Sequence, residues 1–342
     1  MAPKFTTESD LDTFLSEPTE PVVALMKRLD GDVMILGVGG KMGLTLASLA
    51  KRAAEAAGVK KRIIGVARFS DPQGREWLEG HGVETVVADL LRREQVGRLP
   101  EVANVLFLAG RKFGTLGDEH LTWATNTLAP AHVAERFRES RIVAFSTGCV
   151  YPFVAPASGG CAESHPVGPV GEYAQSCLGR ERIFDYYCRE QGTPVCLLRL
   201  NYAIDLRYGV LHDLARRILQ GQPIELGMGS FNCIWQGDAN AFALLALEHC
   251  HSPAQVLNLT GPDLLSTRDI AERLAEALGQ PARFTGRKAP TAYLNDASQA
   301  LALLGPTTVL IDEMIRWTAE WTLAGGASRN APTHFEIRNG HF

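Results

Sequence analysis

The sequence predicts an α/β protein in which helices cover both faces of a parallel β-sheet. Short, continuously apolar segments follow one another up to residue 200, and helical patterns separate them, as expected for strands buried on both faces. A glycine-rich turn joins the first of these segments to the helix behind it. At 342 residues, of which 46% are hydrophobic and 21% charged, the chain is large enough for such a sheet and a smaller lobe.

The expected strands and helices alternate along the chain. Strands are expected at 33–36, 63–66, 85–88, 105–108, 142–145 and 195–198. The glycine turn at 37–43 is followed by a helix that ends near Ala57, so that strand, helix and next strand form one βαβ unit. Beyond Arg199 the predicted strands and helices no longer alternate regularly. Helices near 211–220, 237–249 and 266–278 predict a smaller α/β lobe at the C-terminal side, over the carboxyl ends of the strands.

Composition and charge exclude several classes of protein. A net charge of −4, with lysine and arginine scattered among acids, argues against nucleic acid as a partner. The N-terminus has no apolar signal region and no apolar run reaches about 18 residues, so we expect no membrane partner and a cytoplasmic location. The seven cysteines form no Cys-x-x-Cys pair and are expected as free thiols, and no metal site is predicted.

The glycine-rich turn has the character of a dinucleotide-binding loop. Residues 37–43 read Gly-Val-Gly-Gly-Lys-Met-Gly and lie between a predicted strand and a predicted helix. Glycines at such a junction allow a tight turn and the close approach of a pyrophosphate, and the helix N-terminus supplies N–H donors and a positive dipole. The turn therefore predicts that the chain binds a nicotinamide dinucleotide.

The end of the second strand favours NADP over NAD, with NAD as the alternative. NAD sites of this kind usually place Asp or Glu here to bind the ribose hydroxyls, but this chain has Arg68, followed by Ser70. A guanidinium and a hydroxyl suit a 2′-phosphate, and a solvated surface arginine is the competing interpretation. Asp89, after the third strand, is placed to accept from the adenine amino group or to cap the next helix.

A second group of motifs follows in order along the chain. The segment 145–151 reads Phe-Ser-Thr-Gly-Cys-Val-Tyr. After it come Glu163, Pro166, Pro169 and Tyr173. Together with the glycine turn, these motifs resemble the extended short-chain dehydrogenase/reductase family, which comprises NAD(P)-dependent sugar epimerases, dehydratases and reductases. The likeness covers about residues 31–322.

The resemblance implies a Rossmann-type fold, an NAD(P)-dependent enzyme and the residues around its cofactor. Asn126 matches the asparagine of the family's central helix. The residues expected at the cofactor are Gly37, Gly39, Gly40, Lys41, Met42, Gly43, Arg68, Ser70, Asp89, Leu90, Ala109, Gly110, Asn126 and Cys177. The resemblance also implies a homodimer, in which helices near 126–138 and 171–190 pair with their copies across a two-fold axis.

The resemblance further implies the catalytic residues. Thr147 falls on the family's catalytic Ser/Thr, and Tyr173 on the tyrosine that passes a proton to or from a substrate oxygen during hydride transfer. A lysine four residues later normally lowers the pKa of that tyrosine and holds the nicotinamide ribose, but here the position is Cys177. Lys112, in the loop after the fourth strand, is our preferred substitute, with Arg111 as the other candidate. Cys177 reads as a small buried residue, with a redox-sensitive thiol as the alternative.

The substrate site departs from family members that bind nucleotide diphosphate sugars. Such members usually carry an arginine seven residues before the position of Asp238, where this chain has Phe231. A small free sugar, sugar acid or related polyol is therefore the expected substrate. The residues expected to line its site are Arg111, Cys149, Asn201, Arg207 and His212. For the last three, plain surface or capping roles are the alternative.

The chain thus divides into four expected parts. An N-terminal helical arm, interrupted by Pro18 and Pro21, occupies residues 1–30. The dinucleotide-binding Rossmann domain covers 31–200, the substrate-binding lobe 201–324 with some elements returning to the first domain, and a C-terminal tail 325–342. The expected activity is that of an NAD(P)-dependent oxidoreductase or epimerase. The alternative is a catalytically weak dinucleotide-binding regulatory or scaffold protein of the same fold.

Overall fold

The computed structural model describes residues 5–114 and 116–341. Its strands are β1 Val33–Leu36, β2 Ile63–Ala67, β3 Glu84–Val87, β4 Asn104–Phe107, β5 Arg141–Thr147, β6 Val195–Leu200, β7 Ala203–Ile204, β8 Pro223–Glu225, β9 Ser230–Phe231, β10 Ile234–Trp235, β11 Gln255–Leu259, β12 Leu265–Ser266 and β13 Arg283–Thr285. Its α-helices are α1 Glu8–Leu15, α2 Glu20–Arg28, α3 Gly43–Ala56, α4 Pro72–Gly80, α5 Arg93–Val96, α6 Glu119–Trp123, α7 Ala129–Arg136, α8 Gly171–Gln191, α9 Val210–Leu219, α10 Gln236–Leu245, α11 Thr267–Leu278, α12 Ser298–Leu304 and α13 Ile311–Leu323. A π-helical turn, Ala124–Leu128, joins α6 to α7. Across the described residues, these helices are too short or too polar to span a membrane.

Seven of the strands form one parallel sheet, in the order β11-β6-β5-β4-β1-β2-β3. The chain winds outward from β1 in both directions, since β1 pairs with β2 on one side and with β4 on the other. The predicted doubly wound, Rossmann-type fold is thereby confirmed. In such a sheet ligands bind outside the carboxyl ends of the strands, at the point between β1 and β4 where the winding reverses. The seventh strand, β11, was not predicted, and it extends the sheet beside β6.

Apolar side chains fill both faces of the sheet. On one face, Leu36 and Val105 pack in a buried cluster with residues of α7 and α8. On the other, Ile35 and Leu106 pack with residues of α2, α3 and α10. Because neighbouring residues of each strand point to opposite faces, both of which are buried, the strands carry continuous apolar segments rather than an alternating pattern.

The arm and the lobe share a second core. Helices α9, α11 and α13 form the centre of the lobe, and Leu11 and Leu15 of α1 are buried among them. Helix α2 instead packs against the sheet through Val22. The interruption between the two helices lies where the prolines predict it, and Pro21 occupies the first turn of α2. Residues 1–4 of the predicted arm lie outside the described residues.

The C-terminal tail crosses from the lobe to the Rossmann domain. The amide and hydroxyl of Thr333 donate to one carboxylate oxygen of Asp213, at 2.8 and 2.6 Å. The carbonyl of Thr333 accepts from Lys112 Nζ, in the loop after β4. Gly340 packs closely against Gly171 at the start of α8. The tail therefore runs in front of the carboxyl ends of the strands.

Candidate active site

Two connected cavities follow the carboxyl ends of the strands. The β2 cavity, of about 510 Å³, borders the ends of β2 and β3, and the β5 cavity, of about 270 Å³, lies between β5, the start of α8 and the lobe. Gly37, Gly40, Leu108 and Gly110 line both, so the two form one trough across the switch point. A larger cavity of about 860 Å³ lies at the opposite, amino ends of the strands beside Gly31, away from the sequence motifs.

The glycine turn is shaped to receive a pyrophosphate. Gly37 has a φ of 85°, and a Cβ there would lie 2.6 Å from the backbone of the loop after β4. A Cβ on Gly43 would lie 2.2 Å from a carbonyl oxygen of the same turn, so packing requires glycine at both positions. Gly39 and Gly40 are exposed instead, and a Cβ on either would approach no atom closer than 3.4 Å. Since packing does not require glycine at these two positions, their bare backbone fits the close approach of a ligand.

The β2 cavity has an arginine and a hydroxyl at its outer end. Arg68 and Ser70 both line it and are both exposed. Between them, Phe69 adopts a φ of 49°, which a bulky residue rarely does and which is typical of functional loops. This conformation sets the course of the loop that carries Arg68 and Ser70.

Most residues predicted at the cofactor line the trough. Those at the two cavities are Gly37, Gly39, Gly40, Lys41, Met42, Gly43, Arg68, Ser70, Asp89, Leu90, Ala109 and Gly110. Asp89 does not cap the next helix, because its Oδ1 accepts from Leu91 N at 3.0 Å and the N-cap of α5 is Arg92. Its carboxylate shapes the turn after β3 at the wall of the β2 cavity.

Thr147 and Tyr173 meet in the β5 cavity. β5 ends at Thr147, and α8 begins two residues before Tyr173. The Tyr173 hydroxyl neighbours Thr147, whose Oγ1 accepts from Cys149 N at 3.2 Å. All three residues line the cavity. Two neighbouring hydroxyls at a cavity wall are able to bind the same substrate oxygen.

The surroundings of Tyr173 disfavour its ionised form. Burial raises the pKa of the phenol well above its usual value, and the neighbouring Cys177 and Cys149 raise it further. Arg180 and the hydrogen bond with Thr147 act in the opposite direction. A general base must lose its proton before it accepts one, so Tyr173 requires a cation that stabilises the phenolate.

Asn126 and Cys177 lie behind the cavity wall rather than in the trough, which corrects their predicted contact with the cofactor. Asn126 is fully buried in the π-helical turn, where its Oδ1 accepts from Arg111 N at 2.9 Å and its Nδ2 donates to Ser176 Oγ at 2.9 Å. Cys177 Sγ lies 4.0 Å from the same Nδ2. Burial raises the pKa of the Cys177 thiol to about 11, which agrees with its interpretation as a small buried residue.

Two lysines reach the β5 cavity. Lys41 Nζ donates to Ala203 O at 2.8 Å and lies 4.0 Å from the centre of the Tyr208 ring, and burial lowers its pKa to about 7. Lys112 Nζ donates to Thr333 O at 3.1 Å, and burial lowers its pKa as well. Lys112 thus lines the cavity as predicted, and it also links the loop after β4 to the tail.

Three of the predicted substrate residues lie away from the trough, which corrects the expectation for them. Arg111 forms an ion pair with Asp118 at 2.8 Å. Arg207 is buried and paired both with Asp205 at 2.9 Å and with Asp12 of the arm at 2.7 Å, so it connects the lobe to the arm. The Nε2 of His212 contacts the hydroxyl of a tail serine at 2.9 Å. Arg207 and His212 are both buried in structural contacts, so neither has the plain surface or capping role of the alternative interpretation.

The other two predicted substrate residues, Cys149 and Asn201, line the β5 cavity. The sequence interpretation missed several other residues that line this cavity, because the cavity is built from segments far apart in the sequence. They are Ser146, Tyr202, Tyr208, Gly209 and Thr333, and Arg329 of the tail lines the β2 cavity. At the position of the family's arginine clamp, Phe231 is fully buried and packs against Phe335 of the tail.

Arg180 is a further residue that the sequence interpretation missed. It lies seven residues after Tyr173 on α8, is 5% exposed and lines the β5 cavity. Its Nη1 donates to Phe145 O and its Nη2 to Asn126 Oδ1, both at 2.7 Å. The sequence did contain a signal for Arg180: it follows Tyr173 by seven residues, and residues four and seven apart share one face of a helix.

Comparison with known families matches residues 33–259 of the chain to the model described as "NAD dependent epimerase/dehydratase family". The search of curated proteins finds no match.

Solved structures match over nearly their whole length at low sequence identity. The UDP-glucose 4-epimerase of Thermus thermophilus in complex with NAD is 21% identical, with a TM-score of 0.71 over 86% of this chain and 99% of that one. The UDP-glucuronic acid 4-epimerase of Bacillus cereus in complex with NAD is 19% identical, with a TM-score of 0.68 over 86% and 98%. The UDP-glucose 4-epimerase of Thermotoga maritima with UDP-glucose is 19% identical, with a TM-score of 0.70 over 85% and 98%. At these identities the likeness establishes the fold.

Proposed function

The chain belongs to the NAD dependent epimerase/dehydratase family, and from this premise we propose that it is an NAD(P)-dependent oxidoreductase or epimerase. Its substrate is a small sugar, sugar acid or related polyol, which reacts at a hydroxyl or carbonyl carbon. The observation that carries the proposal is the position of Thr147 and Tyr173 side by side in a cavity continuous with the glycine turn.

The residues of the trough fit a nicotinamide dinucleotide. The exposed backbone of Gly39 and Gly40 suits the pyrophosphate, and the β2 cavity suits the adenosine. The similar structures from Thermus thermophilus and Bacillus cereus are complexes with NAD. Arg68 and Ser70 at the end of β2 instead favour a 2′-phosphate, because a guanidinium binds phosphate with charge-assisted hydrogen bonds. On the strength of Arg68 we propose NADP as the preferred cofactor.

The catalytic pair handles the proton of the reaction. A bound nicotinamide supplies the acceptor or donor of hydride. In the oxidative direction, the substrate C–H bond breaks with its electron pair leaving as hydride, and the hydroxyl proton passes to the Tyr173 phenolate. Thr147 donates a hydrogen bond to the same oxygen and holds it beside Tyr173. In the reductive direction the phenol of Tyr173 returns the proton to the carbonyl oxygen.

The size of the β5 cavity restricts the substrate. At about 270 Å³ it is small for a small-molecule site, and a bound nicotinamide would take up part of it. The tail forms its front through Thr333, and Phe231, at the position of the expected arginine clamp, packs against Phe335 of the tail. These features support a free sugar, sugar acid or polyol as the substrate and argue against a nucleotide sugar.

We also propose that the protein is a homodimer that pairs through α8 and the segment from α6 to α7. This surface carries the exposed apolar side chains of Leu121, Trp123, Leu128 and Tyr186. Exposed apolar groups that gather on neighbouring helices are typical of an association surface.

Turnover tests the proposed activity. Purified protein is incubated with NADP⁺ or NAD⁺ and a panel of free sugars, sugar acids and polyols, and reduced nicotinamide is followed by absorbance. NMR of the recovered carbohydrates detects epimerisation without net cofactor reduction. We expect turnover of at least one panel member. A protein that binds NADPH or NADH but converts none of the panel in either assay would instead be the binding protein of the alternative interpretation.

A further inference from the structure

Arg180 lies where a cation is able to act on Tyr173. On α8, Tyr173, Cys177 and Arg180 follow at spacings of four and three residues and so share one face of the helix. Helical side chains lean toward the N-terminus, so Arg180 extends back along this face toward Cys177 and Tyr173. Its Nη2 and the Cys177 sulfur both contact the side chain of Asn126. Arg180 and Tyr173 line the same cavity.

The guanidinium of Arg180 is fixed by its surroundings. Phe145 O and Asn126 Oδ1 each accept one of its hydrogen bonds at 2.7 Å. Gly110 leaves room for it, since a Cβ there would lie 2.7 Å from Nη2. The Phe107 ring lies 5.5 Å from the guanidinium carbon. Four structural elements therefore hold this charge at the floor of the β5 cavity.

Among the described residues, no neighbouring acid neutralises the charge of Arg180. Glu181, the next residue, is committed to Arg199 through hydrogen bonds of 3.0 and 2.7 Å. Within residues 5–114 and 116–341, no carboxylate lies within ion-pair distance of Arg180, and its buried Nε has no hydrogen-bond partner. A buried cation without a counter-charge is costly unless a negative group faces it in the working state. A phenolate at Tyr173 is such a group.

We propose that Arg180 takes the place of the lysine that the family carries at position 177, and that it stabilises the phenolate of Tyr173 during catalysis. This inference rests on the proposed function. Cys177 is the matching change, because a lysine there would bring a second cation close to Asn126 and the Arg180 guanidinium. The two cations are therefore alternatives at one place in the site.

Cofactor affinity provides a test that does not depend on finding a substrate. Dissociation constants for NADPH and NADH are measured by nicotinamide fluorescence for the native protein and for Arg180→Met, Arg180→Lys, Cys177→Lys and the double variant C177K/R180M. Loss of the buried charge should weaken binding by about tenfold in R180M. C177K/R180M should recover most of that loss, R180K part of it, and C177K alone should bind more weakly than the native protein. R182M, which removes an exposed arginine of the same helix, is the matched control and should bind as the native protein does.

The pH profile separates an electrostatic role from a structural one. The groups that face Tyr173 are Cys177 and Arg180 on α8, Cys149 after β5 and, across the cavity, Lys112. With a substrate from the turnover panel, R180M should move the rise of the oxidative rate to higher pH, and C177K/R180M should move it back. K112M should move it less than R180M does. A purely structural role would lower the rate at every pH without moving the profile.

The outcomes distinguish this inference from the proposed function. An unmoved profile in an active R180M protein with native cofactor affinity overturns the role of Arg180 and leaves the proposed activity standing. A native protein without turnover overturns the proposed activity, and the affinity series then decides alone: failure of C177K to restore binding in the R180M background refutes the substitution of Arg180 for the lysine.

Discussion

The ring of Phe231 packs against the ring of Phe335, with their centroids 6.3 Å apart. Phe231 stands where family members that bind nucleotide diphosphate sugars usually carry an arginine, and Phe335 belongs to the C-terminal tail. Both side chains are buried. This position therefore offers no charged side chain to a diphosphate, and the tail packs on the phenylalanine that stands in place of the expected arginine.

Nucleotide sugars should therefore fail to bind. A ligand at 100 times its dissociation constant stabilises a folded protein by about 2.7 kcal/mol, which a thermal unfolding assay detects readily. We expect no shift in Tm when UDP, UDP-glucose or UDP-galactose is added at millimolar concentration to the protein saturated with NADPH. The positive control is NADPH itself, which should raise the Tm of the cofactor-free protein. A shift with UDP alone would contradict the proposed substrate class.

Arg68→Ala should alter the choice of cofactor. Because a charge-assisted phosphate contact contributes about 1.5–3 kcal/mol, the variant should bind NADPH at least about tenfold more weakly while NADH affinity changes little. Calorimetric titration of both cofactors measures the two constants. Arg75→Ala, an exposed arginine on the neighbouring helix α4, serves as the control. Equal weakening of NADPH and NADH would indicate that Arg68 contacts a part common to both, and NADP would lose its support.

The parts of this site that the sequence predicted are local in the chain. The glycine turn, Arg68 and Thr147 each lie at the carboxyl end of a strand whose apolar pattern is readable from a few residues, and parallel strands bring such ends together. Thr333 and Arg329 could not be found in this way. They enter the trough because the tail is anchored at Asp213 and elsewhere in the lobe, and no local pattern encodes that course.

Arg207 was misassigned to the substrate for a related reason. A charged residue after the strands is typical of a binding loop, but its partners are Asp205 beside it and Asp12 on the distant α1. Burial pushes the pKa of Asp205 upward, yet the charge and hydrogen bonds of Arg207 outweigh it and the pKa is lowered. The pairing of arm and lobe therefore accounts for Arg207, and the sequence alone does not reveal that contact.

Arg207→Met should consequently destabilise the protein. Removal of one partner leaves Asp205 buried and uncompensated, which costs about 3–5 kcal/mol. Urea denaturation followed by circular dichroism measures the free energy of unfolding. Arg189→Met, which breaks an exposed pair with Asp185, should change it by less than about 1 kcal/mol. Similar losses in the two variants would mean that the arm is not anchored through Arg207.

Tyr186→Glu should weaken the proposed dimer. Tyr186 is 59% exposed on α8, and a carboxylate there would be desolvated on both sides of a two-fold interface. Sedimentation velocity at micromolar concentration should give a dimer for the native protein and a monomer for the variant. Leu303→Glu, on an exposed apolar residue of α12, should remain dimeric. A native protein that sediments as a monomer would contradict the assembly.

Tyr173→Phe should stop turnover and leave cofactor binding almost unchanged. The substitution removes the hydroxyl that neighbours Thr147 and retains the ring in the cavity wall. General acid–base catalysis contributes about 10²–10⁴ to a rate, so the variant should lose at least about a hundredfold in kcat. Initial rates with the best substrate of the panel and fluorescence titration with NADPH provide the two measurements.

Tyr186→Phe is the matched control, since it removes an exposed phenol from the same helix and should retain the native rate. A parallel loss of NADPH affinity in Tyr173→Phe would point to a folding defect rather than a chemical one. If Tyr173→Phe retained the native rate, the proton would have to pass through another group. Among the residues that line the β5 cavity, Lys41 would then be the next to test, because burial lowers its pKa to about 7 and both of its protonation states are accessible near neutral pH.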